Sequence, residues 1–165
     1  MRPTLRLAAA VILAATPLVA PAEPPAPAPE TLPIYDTTSV GVLSIEAASK
    51  AAADSGRRLF VNLGTNDCGP CHVVNEAIYE EPFLTAFLTQ FVPVFVDVTP
   101  GTPNRELLAR YGIDATKGLP AIVLSDEALR LAETTKEGEM AAAAAKGKEA
   151  ARDWILKRFK KTDVK

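Results

Sequence analysis

The chain has 165 residues, of which 48% are hydrophobic and 23% charged, and these are the proportions of an ordinary globular protein. Its formal net charge of -2 argues against a nucleic-acid-binding surface or a polybasic membrane surface. The length suits one domain, and the apolar side chains suffice for a core without a framework of disulfide bonds.

The first 22 residues have the pattern of a secretory signal. Arg2 and Arg6 form a positive start, Leu7–Ala15 is a short apolar stretch, and an A-x-A cleavage site ends at Ala22. The apolar stretch falls well short of the ~20 residues that cross a membrane. We therefore predict a signal peptide over residues 1–22, cleaved after Ala22, with an uncleaved membrane anchor as the alternative.

Residues 23–33 are rich in Pro and Ala and have no apolar periodicity, which predicts a semi-rigid spacer. The folded domain is expected over residues 34–165. Export implies the periplasm or secretion, where disulfides persist.

The folded part alternates between helical and strand-like patterns. Helix and strand in alternation predict parallel crossovers, and a terminal hairpin adds an antiparallel edge. The sequence thus predicts an α/β fold, a three-layer α/β/α sandwich with a mixed sheet. In chain order we expect a helix over 44–56, a strand over 59–63, a helix after Cys71 broken at Pro82, a helical piece over 83–88, a strand over 91–98, a helix over 106–111, strands over 120–124 and 129–131, and a helix over 139–159.

The two cysteines of the chain form the motif Cys68-Gly69-Pro70-Cys71, between a strand and the start of a helix. At a helix N-terminus the first sulfur faces free N–H groups and the positive end of the helix dipole, and both favour the reactive thiolate. Pro70 suits the first helical turn because its missing N–H is not needed there. The second cysteine can then attack a mixed disulfide and release the reduced product.

Three other interpretations of this motif remain open. A zinc site would need further ligands, and His72 is the single histidine, so we predict no metal site. A structural disulfide closing so small a loop gains little entropy. The sequence Cys68 to His72 also matches the C-x-x-C-H haem motif, with Met140 as a nominal axial ligand, although the β-rich runs disfavour a cytochrome.

Further segments extend the pattern beyond the cysteine motif. They allow a resemblance to be named: the chain is similar to the thioredoxin superfamily, and more narrowly to a periplasmic thioredoxin-like group with a C-G-P-C motif that resembles the C-terminal domain of DsbD. The matching segments are residues 59–62, 68–71, 94–98, 111–113 and 118–120.

The resemblance implies a role for each matching residue. Cys68 would be the attacking thiol and Cys71 the resolving thiol. Pro120 would be the cis-proline that lies against the cysteines, although from the residues alone it is a proline at a strand start. The backbone of Leu119 would then pair with an extended substrate segment.

The chain also departs from the thioredoxin pattern. Asp67 precedes the first cysteine where Trp is usual, and Asn62 stands where a buried Asp is thought to accept the resolving thiol's proton. The usual accompanying Lys is absent from the strand over 94–98. The proton of Cys71 would then pass to water, His72 or Asp67, and the sequence does not choose among them.

Asp67 also bears on the direction of the reaction. A carboxylate beside Cys68 disfavours its thiolate and makes the couple more reducing, so Asp67→Asn should lower the Cys68 pKa. The pair Gly69-Pro70 is that of reducing thioredoxins. His72 is either a surface histidine or a group that tunes the thiolate.

We therefore expect a protein-disulfide reductase that acts on protein thiols and disulfides through the Cys68–Cys71 pair. No nicotinamide or flavin motif is present, so no cofactor is expected and the electrons would come from a membrane donor. Isomerases of this type usually dimerise through an added domain. We find no such domain in this sequence and therefore expect a monomer. The alternative is a non-enzymatic binding module in which the disulfide is structural.

Overall fold

The computed structural model describes residues 33–126 and 128–159. The predicted signal peptide and all but the last residue of the predicted spacer lie outside these residues. None of the described helices is long and apolar enough to cross a membrane. The elements are α1 (Gly41–Ser55), β1 (Arg58–Gly64), α2 (Gly69–Tyr79), α3 (Phe83–Gln90), β2 (Phe91–Asp97), α4 (Glu106–Arg110), β3 (Ala121–Ser125), β4 (Leu131–Thr134), α5 (Glu139–Ala144) and α6 (Lys148–Leu156).

The four strands form one mixed sheet in the order β2-β1-β3-β4. β1 pairs parallel with β2, whereas β3 is antiparallel to both β1 and β4. One face carries a core made by β1, β3, α2, α3, α5 and α6, in which Phe60, Phe87 and Ile155 are fully buried. The other face carries a second core, in which Val61 of β1 packs with Leu107 of α4 and Ile45 of α1. The predicted three-layer α/β/α sandwich is confirmed.

The direction of β3 differs from the expectation of parallel crossovers. β2 and β3 are separated by α4, yet β3 enters the sheet with Ala121 beside Leu63, at the same end where β1 and β2 finish. α4 has five residues and spans about 7.5 Å, so it is not a crossover helix that runs the length of a strand of about 23 Å. The chain re-enters the sheet at the end where β2 finishes, which places Pro120 at the end of β1 that leads to Cys68.

The first helix begins at Gly41, three residues earlier than predicted. Its Gly41 N–H donates to the side-chain oxygen of Asn104 at 2.8 Å. A Cβ at Gly41 would lie 2.5 Å from Val96 Cγ1, so this close approach requires glycine. The cap comes from a residue 63 positions away, which local sequence patterns do not reveal. The predicted end at Gly56 is confirmed, since Gly56 is a left-handed cap with φ 64°.

Two C-terminal predictions need correction. The predicted helix over 139–159 is two helices, α5 and α6, because Gly147 between them has a φ of 111°. The last strand begins at Leu131, because the side chain of Asp126 accepts from the backbone of Ala128 and Arg130 and prolongs the turn.

Candidate active site

Cys68 and Cys71 form a disulfide at the N-terminus of α2. Strand β1 ends at Gly64 and a three-residue loop leads to Cys68, which is the N-cap of α2. The N–H of Cys71 donates to Cys68 Sγ at 3.2 Å. Cys71 is fully buried, whereas Cys68 is half-buried. A reagent arriving from solvent therefore meets the Cys68 sulfur first.

The two residues between the cysteines form the first turn of α2. Pro70 lies within this turn, as predicted, and supplies no N–H to the sulfurs. Gly69 is exposed, and a Cβ built on it would meet nothing within 4 Å. A side chain could therefore be added at Gly69 without a steric clash.

Leu119 and Pro120 lie against the first cysteine. The peptide bond between them is cis. The carbonyl oxygen of Leu119 lies 3.3 Å from Cys68 Sγ, across 51 residues of sequence. Pro120 is buried and Leu119 is half-buried. This proximity follows from the antiparallel entry of β3, since Ala121 pairs with Leu63 near the end of β1.

The residues that flank the motif have different environments. Asp67 is exposed and next to Cys68. His72 is half-buried, and its Nε2 lies 2.7 Å from the carbonyl oxygen of Asn66. A carbonyl oxygen can only accept, so Nε2 carries the hydrogen. His72 therefore holds the loop before Cys68 in place.

Asn62 is fully buried on β1, two residues before Gly64, and is bonded to a residue that the sequence did not single out. The Tyr35 hydroxyl donates to Asn62 Oδ1 at 2.9 Å. A Cβ built on Gly64 would lie under 3.0 Å from both Tyr35 Oη and Cys71 Sγ. The hydroxyl and the sulfur therefore border the same small space in front of Gly64. The one sequence signal for Tyr35 is an aromatic residue two positions after the end of the Pro-rich spacer.

A buried carboxylate, also missed from the sequence, lies near this group. Asp97 ends β2, opposite Gly64 in the parallel register, and is fully buried. Its Oδ1 accepts from the Thr99 hydroxyl at 2.7 Å. Burial first, and then the negative charge of Asp97, raise the pKa of Tyr35 well above its ordinary value. Tyr35 thus stays protonated and remains a hydrogen-bond donor.

The structure also bears on the zinc and haem interpretations of the cysteine motif. Within the described ranges, no group of three or more His, Cys, Asp or Glu side chains could hold a metal ion. Met140 is fully buried in the core between the sheet and α5. A four-stranded sheet with Met140 in its core does not fit the mostly helical cytochrome that the haem alternative requires.

The fold agrees with that of a solved disulphide isomerase. The crystal structure of a disulphide isomerase from Xylella fastidiosa Temecula1 matches with a TM-score of 0.70 and 24% identity, over 76% of this chain and 96% of that chain. The solution structure of a thioredoxin from Thermus thermophilus matches with a TM-score of 0.44 and 21% identity, over 61% of this chain and 81% of that one. Comparison with curated proteins finds no match. A family model described as thioredoxin-like matches residues 41–127, more than half of the chain. The chain therefore belongs to the thioredoxin-like family.

Proposed function

We propose that the protein is an exported thiol-disulfide oxidoreductase that reduces protein disulfides. The observation that carries this proposal is the unequal exposure of the two bonded sulfurs, with Cys68 half-buried at a helix N-terminus and Cys71 fully buried. In the reduced protein Cys68 attacks a substrate disulfide, and Cys71 then resolves the mixed disulfide from inside.

The surroundings of Cys68 favour a reductase over an oxidase. An oxidant needs a strongly stabilised thiolate, which makes its reduced form favourable. Here the Leu119 carbonyl oxygen at 3.3 Å accepts from a thiol but repels a thiolate. Asp67 adds a negative charge beside the sulfur, and Pro70 removes one N–H from the helix start. The Cys71 N–H and the α2 dipole act in the opposite sense.

The substrate we propose is an extended segment of another protein. Leu119 is half-buried and lies directly before β3, next to the attacking sulfur. An extended segment that pairs with the Leu119 backbone would bring its own disulfide to Cys68, in the manner of an added strand. This mode uses main-chain groups and so tolerates many substrate sequences.

The compartment and the electron source are also part of the proposal. The pattern of residues 1–22 supports export to the periplasm or beyond, and the Pro-rich segment 23–33 supports a spacer between that signal and the folded domain. The reduced state of the Cys68–Cys71 pair would be regenerated by a membrane donor, and the protein would act as a monomer without a bound cofactor.

The first experiment is the reduction potential of the Cys68–Cys71 couple, titrated in glutathione buffers with thiols counted by mass. We expect a value near the roughly -270 mV of thioredoxin. A value near the roughly -120 mV of DsbA would make the protein an oxidant and contradict the proposed direction. A pair that never titrates would leave a non-enzymatic binding module.

A trapping experiment tests the assignment of the two thiols. In Cys71→Ala, a mixed disulfide with a disulfide-bonded protein should accumulate on Cys68, because the resolving thiol is missing. The matched variant Cys68→Ala should trap far less, because the remaining sulfur is buried. Equal trapping by both variants would contradict the assigned roles.

A further inference from the structure

Tyr35 is firmly held beside the cysteine motif. It belongs to the N-terminal strap, which we define as residues 33–40, and its side chain is fully buried. The side-chain amide of Asn66 accepts from the Tyr35 N–H at 3.0 Å and donates to its carbonyl oxygen at 2.9 Å. The ring also packs edge-on against Phe95, with 6.1 Å between centroids. The loop before Cys68 and the strap are therefore fixed to each other.

The Tyr35 hydroxyl lies on the same face of the sheet as Cys71 Sγ. Residues 60, 62 and 64 of β1 share one face, and Phe60 on that face packs in the same core as Val74 of α2. Gly64 has no side chain to separate Tyr35 Oη from Cys71 Sγ, and both border the point where its Cβ would lie. The hydroxyl is thus the polar group that fills the space below Cys71.

Asn62 supplies a second donor on the same face. Its Oδ1 accepts from Tyr35, while its Nδ2 is buried and has no hydrogen-bond partner among the described residues. A buried N–H that lacks a partner is costly and rare. A disulfide sulfur is a weak acceptor, but a thiolate is a strong one, so reduction would create the missing partner.

The titratable side chains near the motif are those of Asp97, Asp67 and His72, whereas Tyr35 and Asn62 are neutral donors. Asp97 approaches from β2 and is satisfied by Thr99, while Asp67 and His72 flank the motif on the loop and on α2. His72 Nε2 is bound to the loop carbonyl of Asn66. In this setting a buried thiolate needs hydrogen-bond donors.

We propose that the Tyr35 hydroxyl and the Asn62 amide are the donors that stabilise the Cys71 thiolate during the resolving step. The hydroxyl has one hydrogen, so it turns from Asn62 Oδ1 to the thiolate, which is the stronger acceptor. This role rests on the proposed function. The Cys71 thiol gives its proton to water, and the thiolate attacks Cys68 Sγ of the mixed disulfide. The Cys68–Cys71 bond forms, the bond from Cys68 to the substrate sulfur breaks, and that sulfur leaves with the electron pair and takes a proton from water. Tyr35 and Asn62 thereby replace a buried base by a pair of donors.

The test measures the Cys71 pKa where no second thiol complicates the titration. In Cys68→Ser protein, the pKa of Cys71 is followed by NMR of its isotopically labelled Cβ. Adding Tyr35→Phe should raise this pKa by about one unit, a tenfold loss of thiolate at a given pH below the pKa, because a hydrogen bond to the charged form is lost. Tyr111→Phe, on the opposite face of the sheet, is the matched control and should leave it unchanged.

A second measurement covers the case in which Tyr35→Phe fails to fold. In the otherwise unchanged protein, the side-chain amide resonances of Asn62 should shift on reduction as Nδ2 gains its partner. An unchanged Cys71 pKa in folded Tyr35→Phe, or unmoved Asn62 resonances on reduction, would overturn the proposal. Both readouts are independent of substrate reduction, so a protein that reduces no disulfide would refute the proposed function and leave these donors in place.

Discussion

Gly64→Ala tests the close packing of Tyr35 against the cysteine motif. The added methyl would lie under 3.0 Å from Tyr35 Oη and from Cys71 Sγ, and the disulfide fixes the sulfur. Tyr35 is fully buried and bonded to Asn62, so it cannot swing away freely. Gly64 is not among the glycines with positive φ, so alanine meets no backbone strain there. The whole cost is therefore steric.

The expected magnitude follows from overpacking. Extra methylenes in a packed core cost about 1–3 kcal/mol, against which a Gly→Ala change gains about 0.4–1 kcal/mol from the unfolded chain. We expect Gly64→Ala to lower the free energy of unfolding by about 1–2 kcal/mol. The matched variant Gly69→Ala adds its methyl where nothing lies within 4 Å, so it should be neutral or slightly stabilising.

The assay is urea unfolding of the oxidised protein, followed by circular dichroism and analysed as a two-state transition. The same substitution is then made in Tyr35→Ala, where the methyl enters the space that the phenol vacates. In that background Gly64→Ala should cost less by about 1 kcal/mol or more, a coupling that independent sites do not show. Equal stability of Gly64→Ala and Gly69→Ala, or additive effects in the cycle, would refute the steric account.

Three further predictions concern buried polar groups. Asn104→Ala should lower the free energy of unfolding by about 1–2 kcal/mol in urea unfolding, because it leaves the Gly41 N–H without its cap. Asn62→Leu should raise the Cys71 pKa, because a donor to the thiolate is lost, and should slow the resolving step by about tenfold at neutral pH, seen as a longer-lived mixed disulfide. Above pH 10.0, the ordinary pKa of tyrosine, unfolding should become easier, because the folded state retains a Tyr35 proton that the unfolded chain releases. Tyr35→Phe should flatten that decline, as measured by urea midpoints against pH.

Each of these predictions has its own control or contrary result. Asn75→Ala removes a half-buried amide of α2 that caps no helix and should cost less, so equal losses for Asn75→Ala and Asn104→Ala would remove the capping role. An unchanged mixed-disulfide lifetime in Asn62→Leu would show that this side chain does not influence Cys71. Identical pH profiles of Tyr35→Phe and the parent protein would show that another group causes the alkaline loss of stability.

Most of the fold could be predicted from local patterns, because each element carries its own signal. The run over 91–98 is apolar and β-branched, and Pro82 separates two helices as expected. Gly56 ends α1 with a positive φ that the sequence indicates. Periodicity does not encode strand direction, however, and β3 is antiparallel to β1 although a helix precedes it.

The active site was predictable where residues are adjacent in sequence and not where the fold joins distant ones. Cys68 and Cys71 lie one helical turn apart, and a local motif defines them. The contact of Cys68 with Leu119 could be expected only through resemblance to a family. Tyr35 is 27 residues from Asn62 and belongs to no helix or strand, so no periodic pattern marks it.

The two edge strands of the sheet bear on how the protein avoids aggregation through strand pairing. β2 is one edge and contains Pro93, which offers no N–H to an approaching strand. β4 is the other edge and is four residues long. A protein proposed to receive extended chains at Leu119 would otherwise also invite them along its flanks, as a template for aggregation. Both edges are therefore poor templates for strand addition. An extended substrate would pair at Leu119, beside Cys68, and not along β2 or β4.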